Sequence, residues 1–197
     1  NKETTVGSGH DRAVYGGNNQ RGDSVMDLAA GTYMMLESTN WAKWEEHIVD
    51  PREISSFKDT LWRVDLPATI PSHQRALLYT EDKVGVPRDC FGLIQLRSTW
   101  ARLGLVAPPT VADPGFEGNL TLEVFNASKY SILIRPKDKI WSVNYVPAVY
   151  APTYKGRYQG QTGLTIAKPL AFEGSKSVRE EGIQSTIWDF LGEDGKG

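Results

Sequence analysis

Two arginines and two hydroxyl side chains lie close together in the stretch LRSTWARLGL at residues 96–105. Arg97, Ser98 and Thr99 follow an apolar strand pattern and read as a helix start, at which Ser98 is a favourable N-cap. Ser98 and Arg102 are four positions apart, so their side chains share one face of that helix. Because the free amides of a helix start attract anions, the stretch is either a cradle for phosphate or a capped helix with solvated arginines.

Glu123 lies in the middle of a strand pattern within residues 113–126, which read DPGFEGNLTLEVFN. Asp-Pro-Gly is a turn signal, and the positions after it alternate with the period of a strand. One face carries three apolar residues, Leu120, Leu122 and Val124. Glu123 projects from the opposite face, between Thr121 and Phe125. It is either an ordinary residue of a solvent-facing sheet, where glutamate is usually exposed, or a functional group.

Glycines interrupt a third stretch, YKGRYQGQTG at residues 154–163. They make the segment mobile, while the residues between them carry aromatic, cationic and amide groups, namely Tyr154, Lys155, Arg157, Tyr158 and Gln161. The segment is either a mobile surface loop or a lid that folds over a ligand.

The cysteine and histidine content argues against zinc. The chain has one cysteine, Cys90, and three widely spaced histidines, His10, His47 and His73. Zinc deaminases need a His/Cys-x-Glu segment and a Pro-Cys-x-x-Cys segment, and the chain has no Cys-x-x-Cys or His-x-x-x-His pair. Cys90 lies in a strand pattern, where a cysteine is usually a small core residue rather than a nucleophile. We therefore expect neither a zinc site nor cysteine catalysis.

Composition limits the partners. The chain has 22 basic and 24 acidic residues and a net charge of −2, without the basic excess typical of proteins that bind DNA or RNA through phosphates. A single cysteine excludes an intramolecular disulfide framework, and no apolar run is long enough for a membrane span or a signal peptide. We expect a soluble cytoplasmic protein with no nucleic-acid or membrane partner.

The 197 residues are enough for one domain with tails. Residues 1–23, rich in glycine, asparagine and charge, predict a flexible N-terminal arm, with an expression-tag remnant as an alternative for its start. Residues 24–168 carry short strand patterns separated by turn residues, typical of an all-β sandwich or barrel. Within them, residues 38–50 predict a short helix. Residues 169–197 predict a tail with an amphipathic helix.

Five stretches in the same order resemble motifs of the dCTP deaminase and dUTPase superfamily across about residues 24–168. They read SVMDLAAG, RSTWARLGL, VADPGFEGNLTLEVFN, KDKIWSVNYVP and YKGRYQGQTG. The resemblance implies a mainly β fold, a distorted β-barrel or jelly roll of the dUTPase-like type with a few short helices. It also implies a homotrimer with active sites between subunits, dCTP or dUTP as substrate, magnesium carried on the triphosphate, and residues 154–163 as a closing segment.

Within the superfamily, Glu123 and the segment GRYQGQTG resemble the dCTP deaminase branch, in an archaeal-type pattern. This implies a metal-free hydrolytic deamination of dCTP to dUTP and ammonia in which Glu123 shuttles protons. Arg102 and Ser98 would orient the water, and Asp113 would bind the sugar 3′-hydroxyl or position a water. The remaining nucleotide contacts would come from Arg97 and Thr99 at the phosphates, Thr110 and Val111 at the base, Phe116 under the deoxyribose, and Tyr154, Arg157 and Gln161 over the triphosphate.

One loop departs from the pattern of many bacterial dCTP deaminases. It reads VAPPTVAD and lacks a histidine or an arginine near the base. Base recognition would then fall to backbone groups near Thr110, Val111 and Ala112, which leaves the choice between cytosine and uracil open. The alternatives are a dUTP pyrophosphatase, a bifunctional enzyme that forms dUMP, and a non-catalytic nucleotide-binding protein on the same fold. A virus-encoded origin is also compatible with this divergence.

Overall fold

The computed structural model describes residues 14–15, 25–37, 49–52, 54–148 and 152–170. The elements within these ranges are β1 (Val14–Tyr15), β2 (Val25–Ala29), β3 (Tyr33–Glu37), α1 (Ser55–Lys58), β4 (Leu61–Asp65), β5 (Ala68–Ile70), β6 (Arg75–Tyr79), β7 (Val84–Gly85), β8 (Cys90–Leu96), α2 (Ser98–Arg102), β9 (Leu105–Val106), β10 (Thr110–Ala112), β11 (Glu117–Gly118), β12 (Thr121–Asn126), β13 (Ile132–Ile134) and β14 (Lys139–Pro147).

In the described ranges the strands form four sheets. Their strand orders are β1-β7-β11, β10-β8-β14-β2, β4-β3-β6-β12-β9 and β13-β5. The pairings are antiparallel except for that of β1 with β7. The prediction of a mainly β fold with a few short helices is confirmed. Over the same ranges, however, no sheet closes on itself into a barrel.

The four-stranded and five-stranded sheets share one hydrophobic core. Met34 on β3 and Leu78 on β6 meet Ile94 on β8 and Val143 on β14 in a single cluster, and each is at most 1% exposed. Strands that alternate apolar and polar residues bury one face in this way and leave the other for solvent or a ligand.

The helix predicted after β8 is present as α2, but the prediction that Ser98 is its N-cap is wrong. Ser98 is the first helical residue, and Arg97 takes the cap position with extended dihedrals, φ −69° and ψ 143°. The reason is that Arg97 still belongs to the strand ladder, where its amide donates to the Ile140 carbonyl at 2.9 Å. Trp100 then fixes the helix, since its Nε1 donates to the Lys139 carbonyl at 2.8 Å.

Several predictions fall wholly or largely outside the described residues. These are the arm at residues 1–23, the helix at residues 38–50 and the tail at residues 169–197, so the division of the chain into these segments stays a prediction. Within the first segment, Val14–Tyr15 forms β1 and pairs with Val84–Gly85. The two helices in the described part of the chain are too short to cross a bilayer.

Candidate active site

The strand that carries Glu123 is β12, and its predicted alternation is confirmed. Leu122 and Val124 are buried, at 2% and 1% exposure, whereas Glu123 and Phe125 are exposed. The register with β6 places Glu123 opposite Leu77. Within the described residues the Glu123 carboxylate has no hydrogen-bond or ion-pair partner, so it is available to a ligand.

The predicted Asp-Pro-Gly turn precedes β12 and orients two further side chains. The amide of Phe116 donates to the Asp113 carbonyl at 3.0 Å, and Gly115 has a φ of +79°, the value a type II turn requires at its third position. A Cβ atom at Gly115 would also lie 2.6 Å from Thr153 Cγ2. The turn leaves the Asp113 side chain exposed and buries the Phe116 ring, at 5% exposure.

These elements border a cavity of about 390 Å³, a size typical of small-molecule sites, which span roughly 300–1,000 Å³. Glu123 from β12, and Asp113 and Phe116 from the turn, contribute to its lining. The predicted nucleotide contacts that also line the cavity are Thr110, Val111, Tyr154 and Gln161. The fold therefore brings seven of the predicted site residues together around one cavity.

Strand β10 forms the part of the wall predicted to face the base. It pairs with β8 along one edge, through Thr110↔Ile94, and is the last strand of its sheet in the described residues. An edge strand keeps a row of backbone amides and carbonyls free along its other side. Val111 and Ala112 both line the cavity. Backbone groups near these two residues are therefore accessible to a base in the cavity.

The closing segment, residues 154–163, is docked against the turn and β11. The amide of Tyr154 donates to the Pro114 carbonyl at 2.8 Å, and the amide of Gly160 donates to the Glu117 carbonyl at 2.8 Å. The Tyr154 ring meets Phe116 edge to face, with 5.8 Å between the ring centroids. Tyr154 therefore packs against the Phe116 ring, and both residues line the cavity.

The far end of the closing segment is held by Asn119 and Thr121. The amide of Asn119 donates to the Gln161 carbonyl at 2.9 Å, and its side-chain Oδ1 accepts from the amide of Gly163 at 2.9 Å. Just beyond the segment, the amide of Thr165 donates to Thr121 Oγ1 at 2.8 Å. Gln161 Oε1 is buried without a hydrogen-bond partner and belongs to a cavity-lining residue, so it is a spare acceptor at the site.

Five predicted residues do not line the cavity of a single chain. Ser98, Thr99 and Arg102 are exposed on α2, which has no buried residue. Arg97 Nη1 is 2.9 Å from Asp27 Oδ2 in an ion pair. Arg157 is also exposed, and its guanidinium donates to the Pro169 carbonyl.

The structure adds lining residues that the sequence patterns did not single out, among them Phe57, Arg75 and Leu77. Arg75 and Leu77 lie two positions apart on β6 and so share the face that borders the cavity. Their proximity to Glu123 depends on the pairing of β6 with β12, which no local pattern shows.

Among the described residues, no group of three or more His, Cys, Asp or Glu side chains is arranged to hold a metal ion. Cys90 lies at the start of β8 and does not line the cavity. Burial raises the pKa of its thiol, and the charge of Asp89 and a hydrogen bond with its side chain raise that pKa further. A raised pKa disfavours the thiolate, so these neighbours suppress nucleophilic reactivity at Cys90.

Together the fold and the cavity define a mainly β protein with a nucleotide-sized site beside a strand carboxylate. The sequence comparisons specify it further, because residues 12–146 match the family model described as dCTP deaminase-like. The chain therefore belongs to the dCTP deaminase-like family.

Curated relatives agree with that assignment. The chain is 39% identical over 156 residues to a dCTP deaminase of Caldivirga maquilingensis, covering 78% of this chain and 84% of the relative. It is 44% identical over 132 residues to a dCTP deaminase of Pyrobaculum neutrophilum, covering 66% of this chain and 74% of the relative.

Solved structures with a similar arrangement include a 2′-deoxycytidine 5′-triphosphate deaminase from Agrobacterium tumefaciens. That match has a TM-score of 0.48 at 17% identity and covers 61% of this chain and 38% of the other. A mutant dUTPase from phage phi11 of S. aureus matches with a TM-score of 0.43 at 17% identity, over 71% of this chain and 86% of the other.

Proposed function

We propose that this protein converts dCTP and water to dUTP and ammonia. The observation that carries the proposal is the position of Glu123, whose carboxylate lines a nucleotide-sized cavity together with Asp113 and Phe116. The two curated relatives described above are both named dCTP deaminase, which supports the same reaction.

Glu123 would move the protons of this hydrolysis. A water molecule adds to C4 of cytosine and loses a proton, N3 gains a proton, and the amino group at C4 then leaves as ammonia after gaining another. A single carboxylate can accept the proton of the water and deliver it to N3, and then accept the proton of the C4 hydroxyl and deliver it to the amino group as the C4–N bond breaks and the C4 carbonyl forms. Such shuttling contributes about 10²–10⁴-fold to the rate. The lack of a protein partner for the Glu123 carboxylate in the described residues leaves it available for this role.

Asp113 and Phe116 would hold the sugar. Asp113 follows β10 and lines the cavity, and it would accept a hydrogen bond from the 3′-hydroxyl. Phe116 is buried and packs against the Tyr154 ring, which restricts its movement. It would pack under the deoxyribose, and it would clash with a 2′-hydroxyl group. This contact would exclude ribonucleotides.

The phosphates would need groups from a neighbouring copy of the chain. Among the described residues, the charged groups that line the cavity of one chain are two carboxylates, Asp113 and Glu123, and the guanidinium of Arg75. This is a poor environment for a triphosphate. Arg97, Ser98, Thr99 and Arg102 lie outside this cavity. We infer a homotrimer in which α2 of one subunit completes the cavity of the next, and in which Tyr154, Arg157 and Gln161 close over the phosphates.

The substrate would be dCTP with its magnesium ion, held through the phosphates. Among the described residues, no group of three or more His, Cys, Asp or Glu side chains could hold the ion directly. Magnesium would neutralise phosphate charge on the nucleotide, while the protein supplies the groups that act on the base.

The test is incubation of the purified protein with dCTP and magnesium, with separate assays for ammonia, dUTP, dUMP and pyrophosphate. Ammonia with dUTP is the expected result, and the absence of ammonia would rule deamination out. Pyrophosphate with dUMP would show the bifunctional reaction, in which Asp113 orients a second water. The trimer is checked independently by measuring the mass of the protein in solution.

Glu123→Gln tests the proton shuttle. It keeps the size of the side chain but removes its basicity, so the turnover number should fall by about 10²–10⁴-fold. Glu117→Gln is the matched control, because Glu117 lies on β11 in the same stretch and does not line the cavity. Retention of turnover in Glu123→Gln, or an equal loss in both variants, would contradict the assigned role.

A further inference from the structure

Arg75 has an unusual position in the cavity. It is the only cationic side chain among the described residues that line the cavity, and it lies in the wall that carries Glu123. In the described part of the chain, no residue of α2 and no other arginine lines this cavity. Its surroundings therefore bear on how the catalytic carboxylate is held.

The sheet register places Arg75 opposite Glu37 on one side and opposite Phe125 on the other, with Glu123 as a diagonal neighbour. Strand β6 lies between β3 and β12 in the five-stranded sheet. On one side, the pairing of Leu36 with Ala76 puts Glu37 opposite Arg75. On the other side, Glu123 is opposite Leu77 and therefore diagonal to Arg75. Diagonal neighbours lie roughly 7–8 Å apart at the backbone, which a long arginine side chain can bridge.

The present contacts of Arg75 leave part of its guanidinium unused. Nη2 forms an ion pair with Glu37 Oε1 at 3.3 Å, and more than a third of each side chain is exposed, so solvent screens the pair. The guanidinium carbon Cζ of Arg75 lies 5.4 Å from the centroid of the Phe57 ring. Nε is buried and has no hydrogen-bond partner. A buried donor without an acceptor is unfavourable, so the arrangement favours a second acceptor nearby.

Glu123 is the matching acceptor. Its carboxylate has no partner in the described residues, and Arg75 is one of its two diagonal neighbours on β6. The other is Tyr79, whose hydroxyl is already bonded to Thr32 at 3.1 Å. An arginine can hold a carboxylate through two parallel hydrogen bonds, which fixes the direction of its oxygen atoms.

We propose that Arg75 is a positioning residue for Glu123. When the nucleotide covers the cavity, the guanidinium turns from Glu37 to Glu123 and fixes the carboxylate so that one oxygen faces the water and N3 of the base. This inference rests on the proposed deamination. It adds a residue that acts through Glu123 rather than by touching the nucleotide.

The test measures turnover number and KM for dCTP in Arg75→Leu, Arg75→Lys and Glu37→Gln. Small misplacements of a reacting group cost up to about 100-fold, so Arg75→Leu should lower the turnover number by roughly 10- to 100-fold. KM should change by less than about 3-fold, because the lost interaction acts on the reacting group and not on substrate binding. Arg75→Lys should recover part of the loss, since it keeps the charge but not the two-bond geometry.

Glu37→Gln is the control for a purely structural role. It removes the ion pair between β3 and β6 but leaves the guanidinium free for Glu123, so turnover should stay within about 2-fold of wild type. In a Glu123→Gln background, adding Arg75→Leu should cause no more than about a 2-fold further loss, because the two residues act as a unit.

The outcomes separate this inference from the function on which it rests. If the wild-type protein releases no ammonia from dCTP, the proposed function is overturned and the role of Arg75 with it. If the wild type is active but Arg75→Leu keeps its turnover number, only the role of Arg75 is overturned. It is also overturned if Glu37→Gln matches Arg75→Leu, if only KM rises, or if the losses in the double variant multiply. If Arg75→Leu does not fold, Arg75→Lys decides the question. A wild-type turnover number in Arg75→Lys would overturn the positioning role of Arg75.

Discussion

The Thr121 hydroxyl offers a sharp test of how the chain after the closing segment is held. Thr121 lies on β12 and lines the cavity, and its Oγ1 accepts the amide of Thr165 at 2.8 Å. Thr121→Val replaces the hydroxyl with a methyl group of similar size, and valine suits a strand, so β12 should remain intact. The variant therefore removes one hydrogen bond and little else.

The expected magnitude follows from that single bond. A typical intramolecular hydrogen bond contributes a net 0.5–1.5 kcal/mol, which corresponds to about a 2- to 13-fold change in a local opening equilibrium. Exchange of the Thr165 amide with deuterium should accelerate by that factor, because exchange of a protected amide follows its opening free energy. Thr121→Ser keeps the hydroxyl and should exchange like the wild type.

The measurement is amide hydrogen exchange followed by mass spectrometry on peptides that contain residues 161–168. Peptides from β14, which belongs to the four-stranded sheet and not to the sheet of β12, report on global stability and should be unchanged. Equal exchange at Thr165 in wild type and Thr121→Val would show that this bond does not hold the chain. The same conclusion would follow if Thr121→Ser exchanged as fast as Thr121→Val.

Two further predictions concern stability and reactivity away from the cavity. Asn126 is fully buried, and its Nδ2 donates to the carbonyls of Ile70, Pro71 and Tyr130. Asn126→Asp should therefore lower the free energy of unfolding, measured in urea, by about 3 kcal/mol or more. A loss below about 1 kcal/mol would contradict this hydrogen-bond network. Burial raises the pKa of the Cys90 thiol most, and Asp89 raises it further. Asp89→Asn should therefore lower that pKa and increase the thiolate fraction at pH 8. Alkylation of Cys90 by iodoacetamide at pH 8 should then be faster than in the wild type. An unchanged or slower rate would refute the influence of Asp89.

Local patterns in the sequence predicted much of the strand framework. The alternation in β12 and the Asp-Pro-Gly turn both appear where they were expected. These features follow from interactions within a few residues, such as the period of two in a strand and the positive φ of Gly115. The cap of α2 was misjudged, because a long-range bond from Arg97 to β14 keeps the chain extended for one more residue.

The site divides in the same way. The sequence by itself determined the residue types and the order of the motifs, and hence the expectation that Glu123, Asp113 and Phe116 act on one ligand. Only the tertiary structure decided which residues meet in one chain: it brings Arg75 to the wall beside Glu123 and leaves Arg102 outside that cavity. The pairing register of β6 with β12 depends on contacts between segments that are far apart in sequence. The position of α2 depends on such contacts as well. A local sequence pattern does not encode them.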